Sequence, residues 1–135
     1  MASLYIESSA LLKRYVYESE SNECQSILDA HAHWLTSRIT ITEVLINLRK
    51  RLSQSEFAIS SRLFQTDITV FDIVEFDADM SLRASEAAGG NNLATLDSIH
   101  LASALRAKST RISFLTYDKR LAAVAKKNGL RVLGI

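Results

Sequence analysis

The chain has 135 residues, of which 47% are hydrophobic, and this fits one compact domain built around a single core. Its 16 Lys and Arg nearly balance its 15 Asp and Glu, so the net charge of +1 does not indicate a nucleic-acid binder, and such a role needs a local basic patch. Cys24 is the single cysteine, so no internal disulfide can form, and no apolar stretch approaches the ~20 residues of a membrane span. The acid Glu7 interrupts the start of the chain before the apolar region of a signal peptide could develop, so we expect a cytoplasmic protein.

The first half of the chain reads as alternating short strands and helices. An apolar run at its start predicts a strand, and Ser8 or Ser9 can cap the helix that follows. Thr40 and Glu43 have the spacing of a capping box at the start of a third helix. The predicted strands of this half are Leu4–Ile6, Trp34–Thr36 and Ile68–Val74, with helices after Ser21 and around Phe57–Phe64.

The second half continues the alternation. Asp77 can cap a helix that ends at Gly89-Gly90, because glycine tolerates a left-handed C-terminus. Strand, helix and strand in close succession then indicate a right-handed βαβ unit, and so an α/β fold with a mainly parallel sheet flanked by helices. The predicted elements here are a helix at Thr95–Ala107, a strand at Ile112–Thr116, a helix at Asp118–Asn128 and a strand at Leu130–Leu133.

Four acidic residues stand at element junctions. Glu7 and Asp118 follow predicted strands, and Glu43 and Asp97 lie in the first turns of predicted helices. Each has a structural interpretation, as a capping-box acid for Glu43, a first-turn acid for Asp97 and a cap for Asp118, whereas an acid directly after a buried strand is costly unless partnered. Since ligands of parallel sheets bind beyond the carboxyl ends of the strands, convergence of these carboxylates would create a site for a divalent metal.

Other polar residues accompany these acids. Thr116 and Ser9 can hydrogen-bond a carboxylate or a substrate phosphate, or serve as strand end and helix cap. Lys13, Arg14 and Arg49 follow the acids in sequence, and they form either solvated helix faces or a phosphate-binding rim. His100 lies three residues after Asp97 on the same helix face, where it either touches the site or is a satisfied, partly buried histidine.

The segments around the four acids resemble a PIN domain, specifically the VapC toxin ribonucleases of type II toxin–antitoxin pairs. The order and spacing of the matching segments cover almost the whole chain, so residues 1–135 are expected to form one PIN domain. The four segments are Tyr5–Lys13 (YIESSALLK), Thr40–Val44 (TITEV), Leu93–Ala102 (LATLDSIHLA) and Phe114–Leu121 (FLTYDKRL), the last followed by Gly129–Val132.

The resemblance implies an endoribonuclease dependent on Mg²⁺ or Mn²⁺ that acts on structured RNA such as tRNA. It implies that Glu7, Asp97 and Asp118 hold the metal and that Glu43 ligates through water or orients the attacking water. Lys13, Arg14 and Arg49 would then grip RNA phosphates. It also implies an antitoxin protein that covers the acidic site, and a homodimer.

One position departs from the family pattern, because the first acid is usually Asp and here it is Glu7. The extra methylene moves the carboxylate by ~1.5 Å, which matters to an ion that demands near-octahedral geometry. A second hypothesis is therefore a PIN-like module that binds RNA or its antitoxin without cutting. A third is a receiver-like phospho-acceptor domain, which ranks lower because Glu7 stands alone and the middle of the chain is rich in helices.

Overall fold

A central sheet of parallel strands organises residues 2–107 and 111–135, the part of the chain that the structure, a computed structural model, describes. Its order is β3-β2-β1-β4-β5, and every neighbouring pair is parallel. The expected α/β architecture is confirmed. The strands are β1 (Ala2–Ile6), β2 (His33–Ser37), β3 (Asp72–Val74), β4 (Arg111–Leu115) and β5 (Arg131–Leu133).

Seven α-helices among the described residues flank this sheet. The predicted boundaries of the helix at Thr95–Ala107 are confirmed, and Asp77 and Asp118 cap their helices as expected. Within these residues no helix is long and apolar enough to cross a membrane. The helices are α1 (Ser8–Leu12), α2 (Ser21–Asp29), α3 (Arg38–Arg51), α4 (Gln54–Asp67), α5 (Ala78–Ala88), α6 (Thr95–Ala107) and α7 (Lys119–Lys127).

Strand β1 is buried on both faces, and this fixes its position at the centre of the sheet. Leu4 and Ile6 join one core cluster with residues of α1 to α4, whereas Tyr5 points to the other face and packs with α6, α7 and β4. Alternate strand residues face opposite sides, and a parallel sheet with helices on both faces needs apolar residues on each. Each such burial stabilises the fold by about 1.5–3 kcal/mol.

Two helix starts differ from the sequence-based prediction. Helix α1 is capped by Glu7 rather than by Ser8 or Ser9. Helix α3 begins at Arg38, where the hydroxyl of Ser37 accepts from the backbone N–H of Ile39 at 3.2 Å. Thr40 lies inside that helix, and its hydroxyl accepts a hydrogen bond from the buried hydroxyl of Thr36 at 2.7 Å. The capping-box prediction for Thr40 and Glu43 is therefore wrong, because Thr40 has a buried partner.

Two further expectations need correction. The strand predicted over Ile68–Val74 is only β3, because residues 68–70 form a 3₁₀ turn that completes α4, and β2 pairs only with Asp72–Val74. The sequence also suggests Ser21 as the cap of the helix that follows it, but Ser21 is the first residue of α2 and Glu20 stands at the cap position. A capping box does occur, on α4, where Ser53 and Glu56 bond each other's backbone N–H.

Candidate functional site

The candidate site lies at the carboxyl edge of the sheet, where β1 and β4 run side by side. From β1 the chain first builds the β2 and β3 side and then crosses to β4 and β5, so the direction of winding reverses between β1 and β4. Glu7 follows β1, and its backbone N–H donates to Leu115 at the end of β4 at 3.0 Å. Ligands of open parallel sheets bind at this kind of reversal, so the fold itself places Glu7 at the expected crevice.

Three hydrogen bonds fix the carboxylate of Glu7, which is only 5% exposed. Its Oε1 accepts from the Ser9 hydroxyl at 2.5 Å and from the Thr116 hydroxyl at 2.6 Å, and its Oε2 accepts from the Ser9 backbone N–H at 2.9 Å. Since each carboxylate oxygen offers about two lone pairs, Oε1 is saturated and Oε2 retains one. The burial of this acid is thus compensated, and Ser9 and Thr116 support it directly.

Thr116 connects Glu7 to Asp118. This threonine is fully buried, and while its hydroxyl donates to Glu7 it accepts from the backbone N–H of Asp118 at 3.1 Å. Asp118 caps α7 through its Oδ1, which accepts from the backbone N–H of Leu121 at 3.0 Å. Within the described part of the chain no hydrogen bond reaches Oδ2 of Asp118, so the capping role leaves that oxygen available.

Glu43 reaches the site from the second turn of α3 and is held by two side chains. Its Oε1 accepts from the Ser8 hydroxyl at 2.6 Å and contacts Nε2 of His100 at 2.7 Å. Burial raises the pKa of this carboxyl, but the hydrogen bonds from His100 and Ser8 outweigh the effect of burial, so its pKa falls below the ordinary value. Glu43 is therefore ionised at neutral pH, and among residues 2–107 and 111–135 nothing donates to its Oε2.

Asp97 is the acid that has no hydrogen-bond or ion-pair partner among the described residues. It lies in the first turn of α6, and no hydrogen bond or ion pair from the described residues reaches its carboxylate. Its pKa is raised by burial first and then by the negative charges of Asp118, Glu7 and Glu43. All four acids are thus close enough to interact, and together they present repelling negative charge.

This donor set fits a hard divalent cation in its chemistry. Carboxylate oxygens are the ligands that Mg²⁺ prefers, and a cation would relieve the repulsion around Asp97. Among the described residues, however, no group of three or more His, Cys, Asp or Glu side chains is placed to hold a metal ion directly. Because Mg²⁺ usually keeps several waters and needs only one or two carboxylates from the protein, a site completed by water and substrate agrees with both observations.

The basic residues expected to bind RNA have unequal surroundings. Lys13 is buried and pairs with Glu18 at 3.3 Å and Glu20 at 3.0 Å. Arg14 pairs with Asp67 at 3.1 Å, whereas Arg49 is exposed and lies over the ring of Phe57. The ion pairs hold Lys13 and Arg14 within the fold, so Arg49 is the more available of the three side chains.

Two residues that contact the site, Ser8 and Tyr5, are not among the site residues predicted from the sequence. Ser8 and Tyr5 both contact His100, at 3.1 Å and 2.8 Å, and His100 contacts Glu43. The sequence predicts only a helix-capping role for Ser8. The available signal was Tyr5, a hydroxyl-bearing residue in the middle of an apolar strand, since such a hydroxyl needs a buried partner.

Comparisons with known proteins bear on the fold and the family of the chain. The family model described as "PIN domain" matches residues 4–127. Ribonuclease VapC35 of Mycobacterium tuberculosis is 33% identical over an alignment of 135 residues, gaps included, and the alignment covers 96% of this chain and 95% of that protein.

Solved structures agree on the fold. The chain resembles FitAcB from Neisseria gonorrhoeae with a TM-score of 0.74 and 17% identity, over 97% of this chain and 96% of that one. It also resembles a chain of a toxin–antitoxin complex from Klebsiella pneumoniae with a TM-score of 0.70 and 20% identity, over 88% and 90% of the two chains. At these identities the structural similarity establishes the architecture.

Proposed function

Because the chain belongs to the PIN-domain family, and within it to the VapC group, we propose that it is a metal-dependent endoribonuclease that hydrolyses phosphodiester bonds of structured RNA. The observation that carries the proposal is the carboxylate of Asp97, which has no compensating donor among the described residues while three further acids raise its pKa. A cation would relieve the repulsion around this carboxylate, and a cation beside a crevice suits phosphodiester chemistry.

Glu7, Asp97 and Asp118 would hold Mg²⁺ or Mn²⁺, in part through the waters that the ion keeps, since no three of these side chains among the described residues are placed to bind it directly. When bound, the ion activates water and neutralises charge that develops on the phosphodiester. Glu43 has its Oε1 occupied and presents Oε2, so it would orient the attacking water. Ser9 and Thr116 keep the Glu7 carboxylate in place, and Arg49 is the most available of the three basic residues expected to contact RNA phosphates.

We further propose that the protein is the toxin of a type II pair and is blocked by an antitoxin protein that covers the acidic site. This partner is supported by the similarity to a chain from the Klebsiella pneumoniae toxin–antitoxin complex. A tRNA-like substrate, a homodimer and a single PIN domain over residues 1–135 remain predictions of the sequence resemblance, and a cytoplasmic location remains a prediction of the composition.

The direct experiment is cleavage of purified tRNA by the isolated protein, with Mg²⁺ or with excess chelator. We expect cleavage with Mg²⁺ only, and loss of cleavage by at least ~100-fold in Asp97→Asn, because that variant removes a proposed metal ligand. Circular dichroism would confirm that the variant is folded. Equal survival of the RNA with metal and with chelator would contradict the proposal.

The alternative is a module that binds RNA or its antitoxin without cutting. What favours it is Glu7, a longer acid than the family's usual Asp, whose Oε1 is already saturated by two hydroxyls. Glu7→Asp separates the two functions. A shorter side chain releases hydroxyl contacts and frees oxygen lone pairs, so we expect cleavage to be kept or raised in a nuclease. Protein that binds RNA but never cuts it, with Glu7 or with Asp, would establish the alternative.

A further inference from the structure

A buried polar relay runs from the core to the acidic site. Tyr5 and His100 are 0% and 1% exposed, and Nδ1 of His100 lies 2.8 Å from the Tyr5 hydroxyl. On its other side, Nε2 of His100 lies 2.7 Å from Oε1 of Glu43. The relay therefore passes from strand β1 through helix α6 to helix α3, and it ends on the acid that is proposed to orient water.

The hydrogens of the relay can be assigned from its chemistry. An ionised carboxylate only accepts hydrogen bonds, so Nε2–H of His100 must donate to Glu43. A neutral imidazole then accepts at Nδ1, and the hydroxyl of Tyr5 is the donor there. The Ser8 hydroxyl gives its one hydrogen to the same Oε1 at 2.6 Å, which leaves its oxygen free to face Nε2–H at 3.1 Å. Every contact in the relay then has a donor and an acceptor.

The far end of the relay is rigid because Tyr5 is fixed by packing. Its ring stacks on Phe114 of the neighbouring strand β4, with centroids 5.2 Å apart and planes within 1° of parallel. The imidazole of His100 meets the Tyr5 ring edge-on, with centroids 5.9 Å apart. A histidine held at its other nitrogen by a core residue cannot rotate freely, so the direction in which its Nε2–H points is set by the core.

We propose that His100, oriented by Tyr5, is a positioning residue that holds Glu43 by Oε1 and so directs its free Oε2 towards the reacting phosphodiester. This inference rests on the proposed ribonuclease function. His100 is itself sealed from solvent, so it touches neither RNA nor water and acts only through Glu43. Its partner Glu43 has 22% of its side chain exposed, which agrees with one oxygen held and one presented.

The test uses two variants that keep different halves of the imidazole. The amide nitrogen of Gln reaches about as far as Nε2, whereas that of Asn reaches about as far as Nδ1. We expect His100→Asn to lower kcat for RNA cleavage by about 10- to 100-fold with little change in KM, the scale on which outer partners of catalytic ligands act. His100→Gln should recover most of that loss, because it restores the donor to Glu43.

The chain offers a matched control in His33. This histidine also lies between a hydroxyl and a carboxylate, those of Ser3 and Asp72, but at the start of β2, whereas the acids lie beyond the other ends of the strands. His33→Asn should leave kcat within about threefold of the wild type. In a Glu43→Gln background, His100→Asn should cause no further loss, because the residue through which it acts is already changed. Additive losses, or equal kcat for His100→Asn and wild type, would overturn the inference.

A readout independent of turnover separates this inference from the proposed function. Imidazole ¹⁵N spectra should show His100 protonated at Nε2 and bare at Nδ1, with the Nε2 resonance shifting in Glu43→Gln. The opposite tautomer would overturn the arrangement whether or not the protein cuts RNA. A wild type that cuts no RNA would contradict the proposed function and the catalytic role of His100 with it, while the spectrum would still decide how Glu43 is held.

Discussion

The four acids of the site are held in different ways, although the sequence presents them as equals. Glu7 accepts three hydrogen bonds, Glu43 accepts from Ser8 and His100, and Asp118 caps a helix with one oxygen. Asp97 has none of these contacts among the described residues. Charges that are compensated stabilise a fold and charges that are not destabilise it, so the acids should differ in their effect on stability.

Asp97→Asn and Glu43→Gln should change the stability of the metal-free protein in opposite directions at pH 7. Because the pKa of Asp97 is raised in the folded state, its protonated carboxyl favours folding below about pH 3.9, and this contribution to the free energy of unfolding is lost as the pH rises through the folded pKa. At pH 7 the ionised carboxylate disfavours folding, so Asp97→Asn should raise Tm. Because the pKa of Glu43 is lowered in the folded state, its ionised carboxylate favours folding above about pH 4.3, and this contribution to the free energy of unfolding is lost as the pH falls through the folded pKa. At pH 7 the contribution is present, so Glu43→Gln should lower Tm.

Thermal unfolding with chelator, at pH 7 and again near pH 3, checks both signs. Near pH 3 the gain from Asp97→Asn should shrink, because the carboxyl is then protonated in both folded and unfolded chains. A lower Tm for Asp97→Asn at pH 7 would show that an unseen donor satisfies this carboxylate.

At the scale of elements, the order and type of most helices and strands could be predicted from the sequence, because their apolar periodicity is strong. The limits were local. The Thr40 pattern matched a capping box, but the buried pair with Thr36 depends on a neighbouring strand, which no local pattern contains. The partners of Glu43 likewise come from residues 35 and 57 positions away, so the sequence suggested the acid but not how it is held.

The close approach of β5 to Thr116 also depends on one residue. Gly134 has a positive φ of 101°, and a Cβ there would lie 2.4 Å from the backbone oxygen of Thr116. The hydroxyl of the same threonine bonds the Glu7 carboxylate and the backbone N–H of Asp118, so a shift of Thr116 would disturb both acids. Gly134→Ala should therefore cost at least about 2 kcal/mol of unfolding free energy and lower cleavage as well.

Gly90→Ala is the matched control for Gly134→Ala. Gly90 also has a positive φ, of 75°, but a Cβ there meets nothing within 4 Å. Gly90→Ala should therefore lose only the free energy of the strained backbone conformation, about 1 kcal/mol. Urea unfolding of both variants measures the difference. Equal losses of stability would mean that the contact with Thr116 relaxes without cost.

At the scale of the whole molecule, the parallel sheet turns distant sequence positions into one site. Glu7 and Asp118 are brought together because β1 and β4 pair in register, with Ile6 opposite Leu115. Helices α3 and α6 then deliver Glu43 and Asp97 to the same edge. The fold class and this edge could be predicted from the sequence, whereas the role of His100 in holding Glu43 required the packed core.

The central claim is that this edge binds a divalent cation, and calorimetric titration of Mg²⁺ into the RNA-free protein tests it most directly. The wild type should bind Mg²⁺, and Asp97→Asn should weaken binding by at least about tenfold. Asp29→Asn, which changes an exposed acid on α2, should leave binding unchanged. Equal Mg²⁺ affinity in the wild type and Asp97→Asn would contradict the claim.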